Sequence, residues 1–497
     1  MDKSRTPVAV GQGQVTQPKN AQNPLDPVGL MVQAAQKALD DAGPPALAKA
    51  VDEVWVVNII SYSYADAPGR LVKALGLAPK GTMYGALGGN TPVKLFNQAA
   101  REIAAGHADC ILIAGAEAEA SLRRAAKGQI TLNWPDPEPP QAMFGDTRNG
   151  STDLEMSYDL FAPAYAYAIF ENALAHHLGR TPSEHRRHLG DLMAPISQAA
   201  AQNPYSWSPR AYTPEQIVTP TEKNRMVATP YTLRMNPNLN VDMACAVLVC
   251  SEKTARSLGV DRGGFVYPLG GAELDNVWYI TQRPNLYDSP AMGHCARLAL
   301  ERAGLGLADM DLFDFYSCFP SVIQMARNEL GLSPDDPRPL SVTGGLAYFG
   351  GPGNNYSLHA IAALMQEIRE NRAQHAMATG LGWFNTKHAA IILGKTLPKN
   401  EWKTPDDSPL QQSINKIALQ PPVEKAEGPF FIEGCTILYR KYGTPPEGIA
   451  IGKTQSGKRA IAFMDPVQVP ELLEQDLVGQ TAKARHDREW GRNFISF

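Results

Sequence analysis

Cysteine is scarce in this chain: six occur among 497 residues, and no two form a Cys-x-x-Cys pair. Most lie in apolar stretches, so we expect reduced thiols rather than a disulfide framework or a zinc site. No apolar run reaches about 18 residues, which predicts no membrane span. The N-terminus has no apolar signal-peptide core, and we therefore expect the cytoplasm.

Strong net charge is also missing. Lysine and arginine number 46 against 50 aspartate and glutamate, giving a net charge of −4. This balance gives no reason to expect nucleic acid or an anionic membrane as a partner. The 44% hydrophobic and 19% charged content is ordinary for a soluble globular protein. The length has room for about three domain-sized units.

The order of predicted elements occurs twice, roughly 260 residues apart. In residues 27–118 an amphipathic helix precedes the strand Val54–Val57, the loop Gly88-Gly89-Asn90, a second helix and the apolar run Cys110–Gly115. In residues 289–384 the same order returns, with Gly350-Gly351-Pro352 marking the loop. Alternating strands and helices predict a parallel sheet with crossover connections. We therefore expect a duplicated α/β core with a site where the halves meet.

Two other regions break this pattern. Residues 127–235 are rich in proline and irregular segments and predict an inserted loop domain that covers or lines a site. Residues 398–426 carry five prolines among polar residues and predict a linker. Short β-type segments follow in residues 427–497, including Phe430–Glu433 and Thr436–Tyr439, with a charged tail at the end. This predicts a small β-rich domain.

Several ordered motifs resemble those of the thiolase superfamily. They are Tyr316-Ser317-Cys318-Phe319, Gly344-Gly345-Leu346-Ala347 before Gly350-Gly351-Pro352, and the strand Asp242–Val249 after the loop domain. The resemblance covers residues 7–397. With the additional C-terminal domain, it is greatest to the thiolase-like proteins of type 1, which are related to the sterol-carrier-protein thiolases.

The resemblance implies a fold and a division of the chain. The implied fold is a duplicated five-layer αβαβα core with an inserted loop domain and a small β-rich, OB-like C-terminal domain. The expected N-terminal half comprises residues 1–126 and 236–275, and the loop domain 127–235. The C-terminal half comprises 276–397, the linker 398–426, and the additional domain 427–497.

The residues that thiolases use for catalysis are absent or changed here. The nucleophilic cysteine position falls at Leu87-Gly88-Gly89-Asn90, and the Gly-His-Pro histidine at Gly350-Gly351-Pro352. The Cys-x-Gly acid/base cysteine falls near Gly380-Leu381-Gly382. Acyl transfer through a thiolate needs these groups. We therefore expect no ordinary thiolase turnover.

Four residues are candidates for other chemistry. Tyr316 stands where the family has histidine, and a phenol whose pKa is lowered by nearby donors can act as an acid or base. Cys318 precedes a predicted helix start, which would lower its thiol pKa. Tyr348 and His388 follow motifs at the same predicted pocket. For each residue, ordinary core packing is the alternative.

The two predicted helix ends are candidates for a thioester or oxyanion pocket. Backbone N–H groups of Gly89 and Gly351, with the side chains of Asn90 and Asn354, would polarise a carbonyl there. Simple N-capping by these asparagines is the alternative, and it applies to Asn355 as well. His359 lies one turn into the second helix, where packing or solvent exposure is expected.

An acyl-CoA ligand is implied by the resemblance, with no permanently bound cofactor and no metal site. Its phosphates need cations, for which Arg123, Arg124 and Arg225 at the two ends of the loop domain are candidates. A solvated charged surface is the alternative. The segment Gly452–Arg459 matches a phosphate-binding loop, but β-type residues follow it, so we expect a hairpin turn.

Three functions fit the sequence. The first is an acyl-CoA-handling protein of lipid metabolism, formally an acetyl-CoA acetyltransferase-like acyltransferase without its thiolate groups. The second is a retro-aldol carbon–carbon lyase that acts on a 3-hydroxyacyl-CoA through Tyr316. The third is a non-catalytic CoA-ester binding protein. The sequence leaves open a monomer or a homodimer.

Overall fold

The computed structural model describes residues 3–440 and 444–497. Its first half follows the predicted alternation of strands and helices. Helices α1, α2 and α3 each end at a glycine, and α1 also begins with a side-chain cap, in which Asp26 accepts from the Gly29 N–H. The elements are β1 (Pro7–Thr16), α1 (Pro27–Ala42), β2 (Glu53–Val56), α2 (Ala67–Leu75), β3 (Gly81–Tyr84), α3 (Thr91–Ala105), β4 (Cys110–Ala118) and α4 (Glu119–Ala126).

The inserted region that follows is mainly helical. Thr152, Thr181 and Thr213 each form a reciprocal capping box at a helix start, which fixes where α5, α7 and α8 begin. Its elements are α5 (Asp153–Ser157), α6 (Pro163–His177), α7 (Pro182–Gln202), α8 (Pro214–Val218), β5 (Met226–Ala228) and β6 (Tyr231–Thr232). The chain then returns to the first half in β7 (Asp242–Ser251) and α9 (Glu252–Ser257).

The first-half sheet has the strand order β1-β7-β4-β2-β3. Strands β2, β3 and β4 are parallel, whereas β7 is antiparallel to both β1 and β4. All residues of β4 and β7 are buried, because helices cover both faces of the sheet. The strand predicted at Val54–Val57 is β2, which ends one residue earlier, at Val56.

The second half repeats this arrangement with a sheet of order β8-β11-β10-β9. Strands β9 and β10 are parallel, and β11 is antiparallel to β8 and β10. Residues Gly345–Phe349 form one turn of π-helix before the second glycine loop. The elements are β8 (Tyr267–Asp275), α10 (Pro290–Ala303), β9 (Leu312–Asp314), α11 (Pro320–Leu330), α12 (Tyr356–Arg369), β10 (His375–Gly382) and β11 (Lys387–Gly394).

Helices α3 and α12 form the central layer between the two sheets. They contact each other, and each contacts strands of both sheets. Their buried apolar residues share one core with the inward faces of β4, β7, β10 and β11. Helix α1 covers the outer face of the first sheet, and α10 the outer face of the second. The predicted five-layer αβαβα fold is confirmed.

The C-terminal region is a small barrel. Strand β12 pairs with both β13 and β15, and the order β13-β14-β16-β15-β12 closes a five-stranded ring, as in OB-type barrels. β12 also pairs with β5, which extends the sheet into the inserted region. The elements are α13 (Ser408–Lys416), β12 (Gly428–Leu438), β13 (Glu447–Thr454), β14 (Arg459–Met464), α14 (Val469–Leu472), β15 (Thr481–Asp487) and β16 (Arg492–Ser496).

Some local predictions in this region were wrong. The two short strands expected between Phe430 and Tyr439 are one strand, β12, with an irregularity at Ile432/Gly434. The charged segment near residue 488 is followed by strand β16, so it does not end the chain as a tail. The segment expected as a linker contains helix α13. The predicted hairpin at Gly452–Arg459 is confirmed, since β13 and β14 pair on either side of it.

Candidate functional site

The N-termini of α3 and α12 meet at the pseudo-twofold axis and are joined by hydrogen bonds. The Gly88 backbone N–H donates to Asn354 Oδ1 at 2.8 Å, and the Ser357 hydroxyl donates to the Gly89 carbonyl at 2.6 Å. Asn354 also donates to the Asn58 carbonyl at 3.1 Å. The structure therefore brings the two glycine loops into direct contact, at the place where the halves were expected to meet.

Tyr316 lies directly against the end of α3. It follows β9, its backbone N–H donates to Thr379 Oγ1 at 2.9 Å, and its ring packs edge-on against Tyr356. A Cβ atom added at Gly89 would lie 2.2 Å from the Tyr316 hydroxyl oxygen. Residue 89 must therefore lack a side chain, because the phenol occupies the space beside the helix end.

The expected lowering of the Tyr316 pKa is wrong. Burial raises the pKa of this phenol well above its usual value, and the nearby Cys318 and Tyr356 raise it further. Loss of water disfavours the phenolate because the charged form is no longer solvated. At neutral pH the hydroxyl therefore stays protonated, and Tyr316 can donate a hydrogen bond to a carbonyl rather than remove a proton.

Cys318 is also a poor nucleophile, contrary to the expectation from its position before α11. Burial raises the pKa of its thiol to about 12, although contacts with Tyr167 and Phe319 lower it in part. Tyr348 is fully buried, and its hydroxyl has no hydrogen-bond partner among the described residues. Cys318 lies beside Tyr167, on which Phe319 is stacked, whereas the Tyr348 ring packs against Tyr212.

The other predicted pocket residues have different surroundings. The Gly351 N–H donates to the Asn238 carbonyl at 2.9 Å, and both ends of the Asn354 amide are engaged. Asn90 and Asn355 hold the N-cap positions of α3 and α12, but their side chains make no capping hydrogen bond. The Asn90 Oδ1 atom is buried and accepts no hydrogen bond from any described residue. The Asn355 Oδ1 atom is likewise buried without a donor among the described residues, so Asn90 and Asn355 are the members of this set with spare capacity to bind a ligand.

The two predicted histidines are buried. His388 Nε2 lies 3.2 Å from Ser289 Oγ and 3.3 Å from the Asn385 carbonyl. His359 Nδ1 lies 2.8 Å from Gln14 Oε1, which excludes the solvent-exposed alternative for this residue. Burial lowers the pKa of each imidazole to about 3, so both are neutral at neutral pH.

The three arginines predicted to bind CoA phosphates have separate partners. Arg123 pairs with Glu119 on α4 at 2.7 Å, and Arg124 donates to the Ala21 carbonyl at 2.9 Å. Arg225 is exposed and donates to the Met226 carbonyl at 2.9 Å. None of the described groups of three or more His, Cys, Asp or Glu residues is arranged to hold a metal ion.

Lys387 is a site residue that the sequence patterns did not indicate. It begins β11, is only 5% exposed, and its ammonium donates to the Leu87 carbonyl beside the N-terminus of α3. Burial lowers the pKa of this amine to about 8, and Lys94 lowers it further, whereas Asp275 raises it. The sequence does contain one signal for this residue. Lysine is almost never fully buried, so a lysine in an otherwise apolar strand indicates a special role.

A cavity of about 120 Å³ opens onto this lysine. It is lined by Asn90 and Lys94 from the first half and by Asp275, Lys387 and His388 from the second. Gln411 of α13 closes one side, where its side chain both donates to and accepts from the Asp275 backbone at 2.8 Å. The cavity therefore combines an amine, carboxylates and the unpaired Asn90 oxygen.

Glu117 is a second residue that was missed, at the end of β4. Its carboxylate accepts from the backbone N–H groups of Ile60 and Ser61 at 2.9 and 2.7 Å, and a Cβ at Gly353 would lie 2.1 Å from it. Burial raises its pKa to about 7 in spite of these bonds. Glu117 therefore supports the second glycine loop while titrating near neutral pH.

The raised pKa of Glu117 gives a pH-dependent stability. Its folded pKa of about 7 lies above the ordinary 4.5, so its contribution is complete below about pH 4.5 and is lost as the pH rises through 7. We expect the stability of wild type relative to Glu117→Gln to fall by about 3 kcal/mol from about pH 4.5 to about pH 8. Urea denaturation at several pH values measures this difference. A difference that is constant with pH would contradict it.

Comparison with known proteins agrees with this arrangement. The structure superposes on the crystal structure of a monomeric SCP2-thiolase like protein type 1 from Mycobacterium smegmatis with a TM-score of 0.86 and 31% identity, covering 100% of both chains. An "Ltp2-ChsH2(DUF35) aldolase" gives a TM-score of 0.60 at 18% identity, over 78% of this chain and 98% of that one. An acetyl-CoA acetyltransferase from Syntrophomonas wolfei gives a TM-score of 0.57 at 17% identity, over 79% of this chain and 99% of that one.

The relatives found by sequence match only part of this chain. A 3-ketoacyl-CoA thiolase of Aeromonas salmonicida is 30% identical over 167 residues, which is 31% of this chain and 35% of the relative. A 3-ketoacyl-CoA thiolase of Citrobacter koseri is 28% identical over 148 residues, which is 28% of this chain and 35% of the relative. The chain thus spans about a third of the length of these relatives. Residues 409–489 match the thiolase-like protein type 1 additional C-terminal domain.

The duplicated fold and the two opposed helix ends define a protein of the thiolase superfamily. Within it, the full-length match and the additional domain show that the chain belongs to the SCP2-thiolase-like proteins of type 1. No helix in residues 3–440 and 444–497 has both the length and the apolar character needed to cross a membrane.

Proposed function

We propose that this protein binds a CoA thioester at the opposed helix ends and acts on it without a thiolate nucleophile. The proposal rests on the end of α3, where glycine replaces the nucleophile and the protonated Tyr316 hydroxyl fills the adjacent space. A neutral phenol beside a helix N-terminus is suited to hydrogen-bond a thioester carbonyl. Formally the protein is then acyltransferase-like.

Thiolysis of acetoacetyl-CoA by CoA tests the absence of thiolate chemistry. We expect a rate no higher than in buffer, because a thiol with a pKa of about 12 is ionised only to about one part in 10⁵ at neutral pH. Calorimetric titration with a CoA ester should still show binding. An authentic thiolase in the same assay is the positive control. Thiolysis that disappears in Cys318→Ala would overturn the proposal.

A carbon–carbon lyase is the second candidate, and the position of Tyr316 favours it. Retro-aldol cleavage of a 3-hydroxyacyl-CoA needs stabilisation of the enolate that develops on the thioester oxygen, and no cysteine nucleophile takes part. The Tyr316 hydroxyl can donate to that oxygen because burial keeps it protonated. The structure therefore supports Tyr316 as the hydrogen-bond donor rather than as the base of the reaction.

Substitution Tyr316→Phe tests this role. We expect release of aldehyde or ketone from 3-hydroxyacyl-CoA substrates to fall about 10²–10³-fold, the usual loss when one oxyanion donor is removed. CoA-ester binding should remain measurable by calorimetry. The matched control is Tyr356→Phe. It removes a hydroxyl on the neighbouring ring, which donates to Asp314 instead. Unchanged release in Tyr316→Phe would exclude Tyr316 as the hydrogen-bond donor of the reaction, and binding without turnover of any substrate would leave a CoA-ester binding protein.

A further inference from the structure

We propose that Lys387 is a nucleophilic amine that forms an imine with a small neutral aldehyde or ketone held in the cavity beside α3. This site adjoins the proposed thioester site, with which it shares Asn90 and the N-terminus of α3, but the imine itself does not depend on CoA binding. Three features of the structure carry the proposal: the surroundings of the amine, an unpaired acceptor next to it, and a carboxylate on the facing strand.

The amine lies where a charged form is disfavoured. The ammonium donates to the Leu87 carbonyl, and a Cβ at Gly88 would lie 3.1 Å from Nζ, directly before the N-terminus of α3. The positive end of a helix dipole and burial both favour the neutral amine. Neutral lysine is the form that attacks carbonyl carbon.

The charged groups around the cavity come from several elements. Asp275 of β8 and Asp146 of the inserted region raise the pKa of Lys387, whereas Lys94 of α3 and Arg148 lower it. Glu273 also lines the cavity but is bound to Arg101 at 3.2 Å. With burial as the dominant cause, the resulting pKa of about 8 leaves about a tenth of the amine neutral at pH 7.

Asn90 supplies an independent indication that a ligand binds here. It is 5% exposed, it lines the cavity, and its Oδ1 accepts no hydrogen bond from residues 3–440 or 444–497. A buried acceptor without a donor is energetically unfavourable, because it has lost its hydrogen bonds to water. The hydroxyl of a carbinolamine, the addition product of an amine and a carbonyl, would donate to this oxygen.

Asp275 is placed to move the protons of the reaction. It is the cross-strand partner of Lys387 in the β8–β11 pair, and burial raises the pKa of its carboxyl. The amine lone pair forms the C–N bond, and the nitrogen then loses a proton to the carboxylate. That proton is returned to the alkoxide oxygen to give the carbinolamine. The second N–H proton then passes through the carboxylate to the same oxygen, the C–O bond breaks, and water leaves as the C=N bond forms. No oxidant or reductant is consumed.

The cavity limits the size and charge of the carbonyl compound. A volume of about 120 Å³ equals the share of about four water molecules in the liquid. It therefore suits a carbonyl compound of about three to five non-hydrogen atoms. Because cations and carboxylates face each other across it, a neutral compound fits better than an anionic one.

Reductive trapping tests the proposal on the full chain. Propionaldehyde and cyanoborohydride are added at neutral pH, and the propylated lysines are located by peptide mass spectrometry. We expect Lys387 to be labelled about a hundredfold faster than the exposed Lys458, because a larger fraction of its amine is neutral. Glyoxylate in place of propionaldehyde should label Lys387 more slowly.

A positioning variant separates this role from simple accessibility. In Asn90→Asp an added carboxylate raises the pKa of Lys387, so its labelling should slow about tenfold while that of Lys458 is unchanged. The proposal is overturned if wild-type Lys387 is labelled no faster than Lys458, or only after denaturation. Calorimetry with a CoA ester on the same samples tests the thioester site, so that either proposal can fail alone.

Discussion

Substitution Arg459→Met is expected to lower the free energy of unfolding by about 3–5 kcal/mol and to loosen the barrel from the thiolase core. Arg459 is 3% exposed at the start of β14. Its guanidinium pairs with Glu433 at 2.7 Å and donates to the carbonyls of Thr281, Arg283 and Pro284 in the second half of the core. Methionine fills similar space but leaves the three carbonyls without this donor and leaves the partly buried Glu433 carboxylate with Lys453 as its remaining partner.

Limited proteolysis and urea denaturation measure the two parts of this expectation. The barrel of the variant should be cleaved from the core faster than in wild type, and the urea midpoint should fall. Arg440→Met is the matched control, because Arg440 also joins the barrel to the inserted region through Asp159 but is solvent-exposed. The Arg440→Met substitution should lower the free energy of unfolding by less than about 1 kcal/mol. Equal losses in the two variants would contradict the assigned role of Arg459.

Replacement of Glu171 by leucine should be similarly destabilising, by about 3–5 kcal/mol. Glu171 on α6 is fully buried and accepts hydrogen bonds from three side chains on three other elements. His185 Nε2 lies 2.7 Å away, the Tyr231 hydroxyl 2.7 Å and Gln324 Nε2 2.6 Å. Leucine would leave both ring nitrogens of His185 without a partner and would remove the shortest hydrogen bonds of Tyr231 and Gln324 in a dry interior, where each loss carries a desolvation cost.

Glu171→Gln provides the comparison. Glutamine keeps the volume and one acceptor oxygen, so it should cost clearly less than leucine. Chemical denaturation of the two Glu171 variants should show a lower midpoint than wild type. The slope of unfolding free energy against denaturant concentration should be unchanged, which indicates that stability rather than compactness has changed. If the leucine variant were as stable as wild type, the network would not hold the inserted region to the core.

The repeated core could be predicted from the sequence because its signals are local. Strands such as β4 and β7 are continuous apolar runs, and the helix stops fall at glycine residues such as Gly43 and Gly304. The same holds for the glycine loops at the pseudo-twofold axis. What these signals lack is any indication of which distant residue approaches a loop.

The candidate site depends on such distant approaches. The contact of Tyr316 with Gly89 joins two residues far apart in sequence, and its burial reverses the expected direction of the pKa change. The same applies to Lys387, whose role follows from the Leu87 carbonyl and the facing Asp275. Burial and cross-strand neighbours decide these properties, and neither can be read from a single segment.

The hydrogen-bonded contact between the two glycine loops has a consequence for protein engineering. Gly88 has a φ of 145°, a Cβ there would lie 2.5 Å from Asn90 Oδ1, and its N–H is held by Asn354. A cysteine restored at this position would need a different backbone conformation and the removal of neighbours that now fill its place. The fold therefore resists installation of a sulfur nucleophile by one residue change, and a designed thiolate variant would have to rebuild both loops together.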